Sequence, residues 1–485
     1  MSARFVGVAA ARAGYGDLIA DDDDHPIVTP TRPLVIAANR LPVSLNADGE
    51  WETSPGGLVR ALAPIVRASH GAWVGWTGRA DGSADVIRAD GIEMHPIPLS
   101  QDEVNRYYEG FANDTLWPLY HDAIKTSNFD TDDWNAYVGV NERFAVRIAN
   151  VAPRNATVWL HDYHLQLVPR MLRAQRSDVR IGWFNHIPFP PLELFQRLPW
   201  RTEIVKGLLG ADVLGFQRER GARNFVAAAH QLAGATEVDD ELVNFDGRNV
   251  HVSNFPISID VDEFELLASG RSTRRQTAQI RTRLGDPEVI LLGVDRLDYT
   301  KGIGARLRAF GRLLDSGRLD PERHVLVQIA TPTRENVELY QEERREIEQI
   351  IGEINGMHAR LGFPVIHYLH QMLPLDELIP LYRAGDVMLV TPFRDGMNLV
   401  AKEYVAAHVD GDGVLVLSEF TGAADELSDA LLVNPHDERA FDDVIVRAVE
   451  MHRHERRPRM EAMRRSITRS NVGDWARSYL EELDQ

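Results

Sequence analysis

The chain of 485 residues contains no cysteine, which removes disulfide bridges, thiolate metal sites and cysteine nucleophiles together. Positive charge is also short: 72 Asp and Glu against 53 Lys and Arg leave a formal net charge of −19. Nucleic acids and anionic membranes need a basic face, so neither is expected as a partner. Long apolar runs are missing too; stretches such as Val289 to Val294 are strand-sized, far below the roughly twenty residues that span a bilayer. A soluble, cytoplasmic protein is the expectation. The apolar run Phe5 to Ala11 behind Arg4 imitates a secretory signal, but Arg12 interrupts it and the acidic run Asp21 to Asp24 follows. Residues 1–30 therefore read as a mobile arm, with the aspartates a solvated charge run rather than a cation site. No G-x-G-x-x-G follows a strand at the start of either half, which disfavours a dehydrogenase.

What is present is an ordinary globular mixture, 44% hydrophobic and 26% charged, in a chain longer than one core usually supports. From Leu34 onward short β-rich runs alternate with longer helical stretches, the pattern of βαβ units. The first half supplies strands at Leu34–Ala38, Thr157–Leu160, Ile181–Phe184 and Val213–Phe216. The second supplies Val289–Val294, Val325–Ile329, Val365–Tyr368, Val387–Val390, Val414–Leu417 and Leu431–Val433. The fold class is α/β, with two doubly wound domains. A boundary is expected near Phe255 to Asp260, where Pro256 disfavours helix, followed by a polar, weakly patterned stretch toward Leu284. The divisions are then 31–260, 261–470 and a last segment, 471–485, with a short helix over Trp475–Leu483 that can pack back on the first domain.

Open α/β sheets bind ligands beyond the carboxyl ends of their strands, and here those positions are unusually polar. Asn39 and Arg40 follow the first strand; His161, Asp162 and His164 the next; then Asn185 and His186. In the second half come Asp295, Arg296 and Lys301, then Arg334, then Arg394, Asp395 and Asn398. Arg296 and Lys301 share a strand-to-helix turn, where fixed cations suit a departing diphosphate. An exposed basic pair is the alternative, disfavoured because cations are unfavourable at a helix start. Gly396 permits a sharp turn whose freed amides, with Asp395 before the helix and Glu403 within it, suit a sugar and a ribose diol. A dipole-complementing acid and a solvated glutamate are the plain alternative there. Gly56-Gly57 opens a helix after Ser54-Pro55, a weak signal for close approach of amides to a diphosphate. His161-Asp162-Tyr163-His164 lacks further ligands at metal-site spacing, so Asp162 reads as a holder of sugar hydroxyls and no metal is expected. His186 is a candidate for the transferred sugar, or a satisfied core histidine. Arg40 and Arg334, one from each half, have guanidinium forks suited to a phosphate, with Tyr108 and Trp117 as aromatic walls.

Taken together these strings resemble the trehalose-6-phosphate synthases, members of glycosyltransferase family twenty with the GT-B fold, two Rossmann-like domains facing each other across a cleft. The matching strings are Ala38-Asn39-Arg40, Gly56-Gly57-Leu58, Trp73-Val74-Gly75-Trp76, Tyr108 through Leu116-Trp117-Pro118, His161 to His164, His186 to Pro190, Arg296 to Gly302 and Arg394 to Glu403, in family order.

The resemblance implies roles. Arg40, Tyr108, Trp117 and Arg334 would hold an acceptor phosphate in residues 31–260 and their partner loop, and Asp162 the acceptor hydroxyls. Gly57, Arg296 and Lys301 would take the donor diphosphate. His186, Asp395 and the amides of Met397 and Asn398 would hold the donor glucose and Glu403 the ribose, with Gly396, Leu399 and Val400 also binding the donor. Arg296, Lys301, Asp395 and His186 would form the catalytic set. Implied substrates are a nucleoside-diphosphate glucose, UDP-glucose first among them, and glucose 6-phosphate, with no cofactor and a retaining front-face mechanism. A homo-oligomer, dimer or tetramer, is implied as well. A sister enzyme acting on another phosphorylated polyol or cyclitol is the rival reading.

Overall fold

A computed structural model describes residues 31–45, 49–54, 56–122, 124–239 and 241–485; the arm expected over residues 1–30 lies outside them. The N-terminal sheet has seven adjacent parallel strands, in the spatial order Arg248–Asn254, Val213–Phe216, Arg180–Asn185, Thr157–His161, Leu34–Arg40, Ala72–Trp76 and Ile92–Pro96, with short antiparallel strands at both edges. The central strand Leu34–Arg40 is buried from Leu34 to Asn39, the continuous run that a strand covered on both faces requires. Its Ile36 pairs with Trp73 on one side and Trp159 on the other.

The C-terminal sheet has six parallel strands, in the order Ile366–Leu369, His324–Thr331, Val289–Arg296, Val387–Val390, Val414–Ser418 and Leu431–Val433. In each sheet the chain builds outward from one strand and then returns to build on its other side. The order therefore reverses between Leu34–Arg40 and Thr157–His161 in one sheet, and between Val289–Arg296 and Val387–Val390 in the other. Such reversals open a crevice at the strand ends, where ligands of this architecture bind.

The connection holds a correction. The polar stretch before Leu284 is two helices, Val261–Ser269 capped by Asp260 and Arg271–Arg283. In the second helix only Thr273 is buried, so no apolar stripe betrays it. The last helix, Val472–Asp484, starts at a capping box of Asn471 and Asp474 and buries Trp475, Tyr479, Leu480 and Leu483. It crosses back to the N-terminal sheet. Tyr479 Oη donates to the carbonyls of Trp183 (3.1 Å) and Val213 (3.2 Å), and its ring stacks on Trp159 at 4.6 Å. Glycine is required beneath it: a Cβ at Gly182 would lie 2.6 Å from Tyr479 Oη. Among the described residues no helix is long and apolar enough to cross a membrane.

Candidate active site

The donor-side turn begins where Val289–Arg296 ends. Asp298, fully buried, caps a turn over Tyr299–Lys301 by accepting from Thr300 N (2.9 Å) and Thr300 Oγ1 (2.8 Å). Gly302 leaves that turn in the left-handed region, φ 65°, against the carbonyl of Thr391. The turn directs Lys301, 7% exposed, so that Nζ donates to Asp395 Oδ2 at 2.6 Å. Asp395 is held further by Gly396 N–H at Oδ1 (2.9 Å) and Asn398 Nδ2 at Oδ2 (3.1 Å). Burial alone would raise the Asp395 pKa, but Lys301 outweighs it and keeps the carboxyl below the ordinary aspartate range. Beneath the turn, the fully buried Arg306 donates to Asp295 (2.7 Å), Gln328 (2.9 Å) and Thr391 (3.1 Å), tying three strand ends together.

After Gly396 the chain passes Asn398, φ 86°, whose side chain accepts from Ala401 N (3.2 Å) and starts the helix Leu399–Ala407. The amides of Met397 through Val400 thus lie at a helix entry, as anion and hydroxyl recognition requires. Glu403, within that helix, accepts from Tyr382 Oη (2.7 Å) and from Arg60 Nη2 (3.1 Å), an arginine of the helix Gly57–Ala68 in the other domain.

On the N-terminal side, a capping box at Ser100 leads into Val104–Leu116, a π-helix, and on through Trp117. Wide-turn helices are rare and concentrate at functional sites. This one sends Tyr107 Oη to Asn39 Oδ1 (2.9 Å) and places Tyr108 edge-on to Trp76, whose ring lies under the guanidinium of Arg40 at 4.9 Å. Asp162, at φ 74°, has an Oδ1 that is buried without a hydrogen-bond partner. Burial pushes its pKa up to about 6, against amide hydrogen bonds from Tyr163 and His186 and the fields of Arg296 and Arg334.

The two halves meet around Trp117, which is 2% exposed. Arg334 lies 3.9 Å above its ring and Arg296 5.4 Å from it. Arg334 also donates to Asp298 Oδ2 (3.1 Å), to Tyr340 Oη and, across the domains, to Tyr163 Oη (3.1 Å). Its residue adopts φ 48°, unusual for a side chain of this size and a mark of a constrained position. Burial would raise the pKa of Asp298, but Arg334, Arg296 and Lys301 together bring it down to about 2. One buried carboxylate therefore holds Arg334 directly and lies in the field of Arg296 and Lys301.

Further contacts close the cleft. A Cβ on Gly57 would lie 3.2 Å from Leu399 Cδ1, and one on Gly396 would overlap the carbonyl of His186. Arg394 sits 3.3 Å from Asp122. An open cavity of about 560 Å³ lies beside the interdomain linker. Its Arg218, Glu219 and Glu426 are already paired with Asp425, Arg223 and Lys402, so it offers little net charge to a phosphate.

The residues expected from the strand ends lie at the carboxyl ends of the two sheets, although His161 and Asn185 are fully buried there. Two have more protein partners than expected. Both ring nitrogens of His186 are engaged, Nε2 with His161 Nδ1 (3.1 Å) and Nδ1 with Gln217 Nε2 (3.4 Å), and burial lowers its pKa to about 3, leaving a neutral ring. Glu403 is the second. Asp298, Tyr163, Tyr340, Arg60 and His121 escaped the sequence reading. His121 is fully buried against Trp117 (4.2 Å), and its Nδ1 lies 2.8 Å from the Trp117 carbonyl. A carbonyl only accepts, so Nδ1 carries the proton; burial lowers the ring's pKa to about 4 and leaves Nε2 a bare acceptor. The four-residue spacing from Trp117 was the available signal.

Two Rossmann-like domains with opposed strand-end crevices, and two cations of the second stacked on an aromatic ring of the first, define a GT-B glycosyltransferase. The family model for glycosyltransferase family 20 matches residues 31–485, and the chain belongs to that family. A trehalose-6-phosphate synthase of Mycolicibacterium smegmatis is 51% identical over 477 residues, 96% of this chain and 95% of the relative. A UDP-forming alpha,alpha-trehalose-phosphate synthase from Burkholderia xenovorans, solved in complex with glucose-6-phosphate, superposes with TM-score 0.86 at 33% identity, covering 94% of this chain and 100% of the other. An E. coli structure bound with UDP-2-fluoro glucose gives TM-score 0.86 at 33% identity over 93% and 99%.

Proposed function

We propose that this enzyme transfers glucose from a nucleoside-diphosphate glucose, UDP-glucose first, to glucose 6-phosphate, forming α,α-trehalose 6-phosphate and the nucleoside diphosphate. The observation that carries the reading is the meeting of Arg296 and Arg334 on Trp117, with Lys301 anchored to Asp395 alongside. The relatives' named substrates match the two anions such a site would hold.

In this reading Arg296, Lys301 and the Gly57 amide take the donor diphosphate. His186, Asp395, Gly396 and the amides of Met397, Asn398, Leu399 and Val400 frame the glucose, and Glu403 the ribose. Arg40, Tyr108, Trp117 and Arg334 take the acceptor phosphate, and Asp162 its hydroxyls. Asp395 has both oxygens engaged, which suits a fixed counter-charge better than a nucleophile. Retention then follows from front-face substitution. The bond from the anomeric carbon to the diphosphate breaks and the bond to the acceptor oxygen forms on the same face. The acceptor's proton passes to the departing phosphate oxygen. Fixed cations stabilise the leaving charge without reorganising.

The proposal extends to residues 31–260 as acceptor domain, 261–470 as donor domain and a cytoplasmic homo-oligomer, on the family resemblance; light scattering of the purified chain tests the last. An activity matrix of UDP-, ADP- and GDP-glucose against glucose 6-phosphate and phosphorylated polyols tests the function. Nucleoside diphosphate release with glucose 6-phosphate is expected. Release only with a polyol or cyclitol phosphate would favour the sister reading.

A further inference from the structure

His164 is a buried side chain to which the proposed reaction gives no task. Its residue is 8% exposed, and neither Nδ1 nor Nε2 has a hydrogen-bond partner among the described residues. A buried polar group left unpaired costs about 1–3 kcal/mol, and folds satisfy most such groups. An imidazole orphaned at both nitrogens therefore marks a place where something else is meant to bind.

Its surroundings say what. His164 lies in the turn Tyr163–Leu165 just past the strand Thr157–His161, beside the reversal of the N-terminal sheet. Asn141 Nδ2 donates to its carbonyl (3.0 Å) and fixes the backbone. Tyr108 stacks on its ring at 5.9 Å and 16°, and Tyr163 packs at 4.0 Å. The charges acting on the ring are the guanidinium groups of Arg334 and Arg40, one from each domain. Guanidinium groups only donate, so neither can accept the N–H of a neutral imidazole. An oxyanion with several lone pairs accepts from all three.

We propose that His164 is a further ligand of the acceptor's phosphate, donating a ring N–H to a phosphate oxygen held by Arg40 and Arg334. The assignment rests on the acceptor reading above. Burial, reinforced by the two guanidinium groups, keeps the imidazole neutral, and a neutral ring still carries one N–H. Tyr108, Arg40 and Arg334 were legible as phosphate holders from the sequence; His164, stacked on Tyr108, completes the set.

The test is calorimetric titration of wild type, His164→Phe and His164→Asn with inorganic phosphate and glucose 6-phosphate at saturating UDP, and separately with UDP alone. His164→Phe keeps a ring against Tyr108 but removes both nitrogens. It should weaken phosphate and glucose 6-phosphate binding about tenfold or more, the scale of one hydrogen bond to a charged group. His164→Asn restores a donor and should recover most of the loss, and UDP affinity should hold throughout. Phosphate binding by His164→Phe as tight as wild type, no phosphate binding by wild type, or a parallel loss of UDP affinity would overturn the assignment. A wild type that binds inorganic phosphate but not glucose 6-phosphate retires the acceptor reading instead, and leaves His164 to be judged on the phosphate titration.

Discussion

Arg334 stacks 3.9 Å above the ring of Trp117, joining a loop of the C-terminal domain to the end of a helical region in the N-terminal one. A desolvated cation over an indole is worth about 2 kcal/mol. The same guanidinium is held by Asp298 and Tyr163, so its fork is oriented before a ligand arrives. Arg334→Lys keeps the charge but loses the fork and the stack. The KM for glucose 6-phosphate is expected to rise about tenfold or more, with the donor KM nearly unchanged. Steady-state kinetics with each substrate varied in turn checks this.

The Lys301–Asp395 pair, at 2.6 Å, places a cation beside the expected sugar site. Lys301→Ala or Arg296→Ala should lower kcat by about 10²-fold or more, the scale of losing one fixed charge-stabilising group, while acceptor affinity changes little. Unchanged turnover in both variants would remove the leaving-group role.

Asp162 gives a pH signature. Burial raises its pKa from 3.8 to about 6, so the folded protein holds a proton between those values that the unfolded chain has released. Its contribution to stability is fully present below 3.8 and is lost as pH rises through 6. Binding sugar hydroxyls requires the ionised form. The acceptor kcat/KM should therefore fall below about pH 6, and Asp162→Asn should be slower overall and lack that limb. The pH profile of the free enzyme checks it.

Gly396 separates closure from folding. Any Cβ there would overlap the carbonyl of His186 in the opposite domain. Gly396→Ala should reduce kcat severely and enlarge the radius of gyration with substrates bound, while each domain keeps its own core. Small-angle scattering with both ligands, beside an activity assay, makes the comparison.

Much of this was legible because parallel strands buried on both faces read as continuous apolar runs, and because strand ends are where this architecture does chemistry. Strands toward the sheet margins were less so. Ile92–Pro96 alternates with polar residues, and Arg248–Asn254 is largely polar. The helix Arg271–Arg283 exposes nearly every face and shows no period. In the site, the residue types and their strand-end positions were visible, but not who pairs with whom. Arg60 and Glu403 are 343 positions apart and meet only across the two domains. Asp298 lay inside a recognised string, yet its hold on Arg334, 36 positions away, is a three-dimensional fact.

That two domains grip one acceptor phosphate is tested most directly by the glucose 6-phosphate KM of Arg40→Ala and Arg334→Ala, measured side by side with the donor saturating. Both should rise, each by about tenfold or more, as loss of a charged phosphate contact dictates. A rise in only one of them, or equal losses toward the nucleotide sugar, would contradict a phosphate held jointly across the cleft.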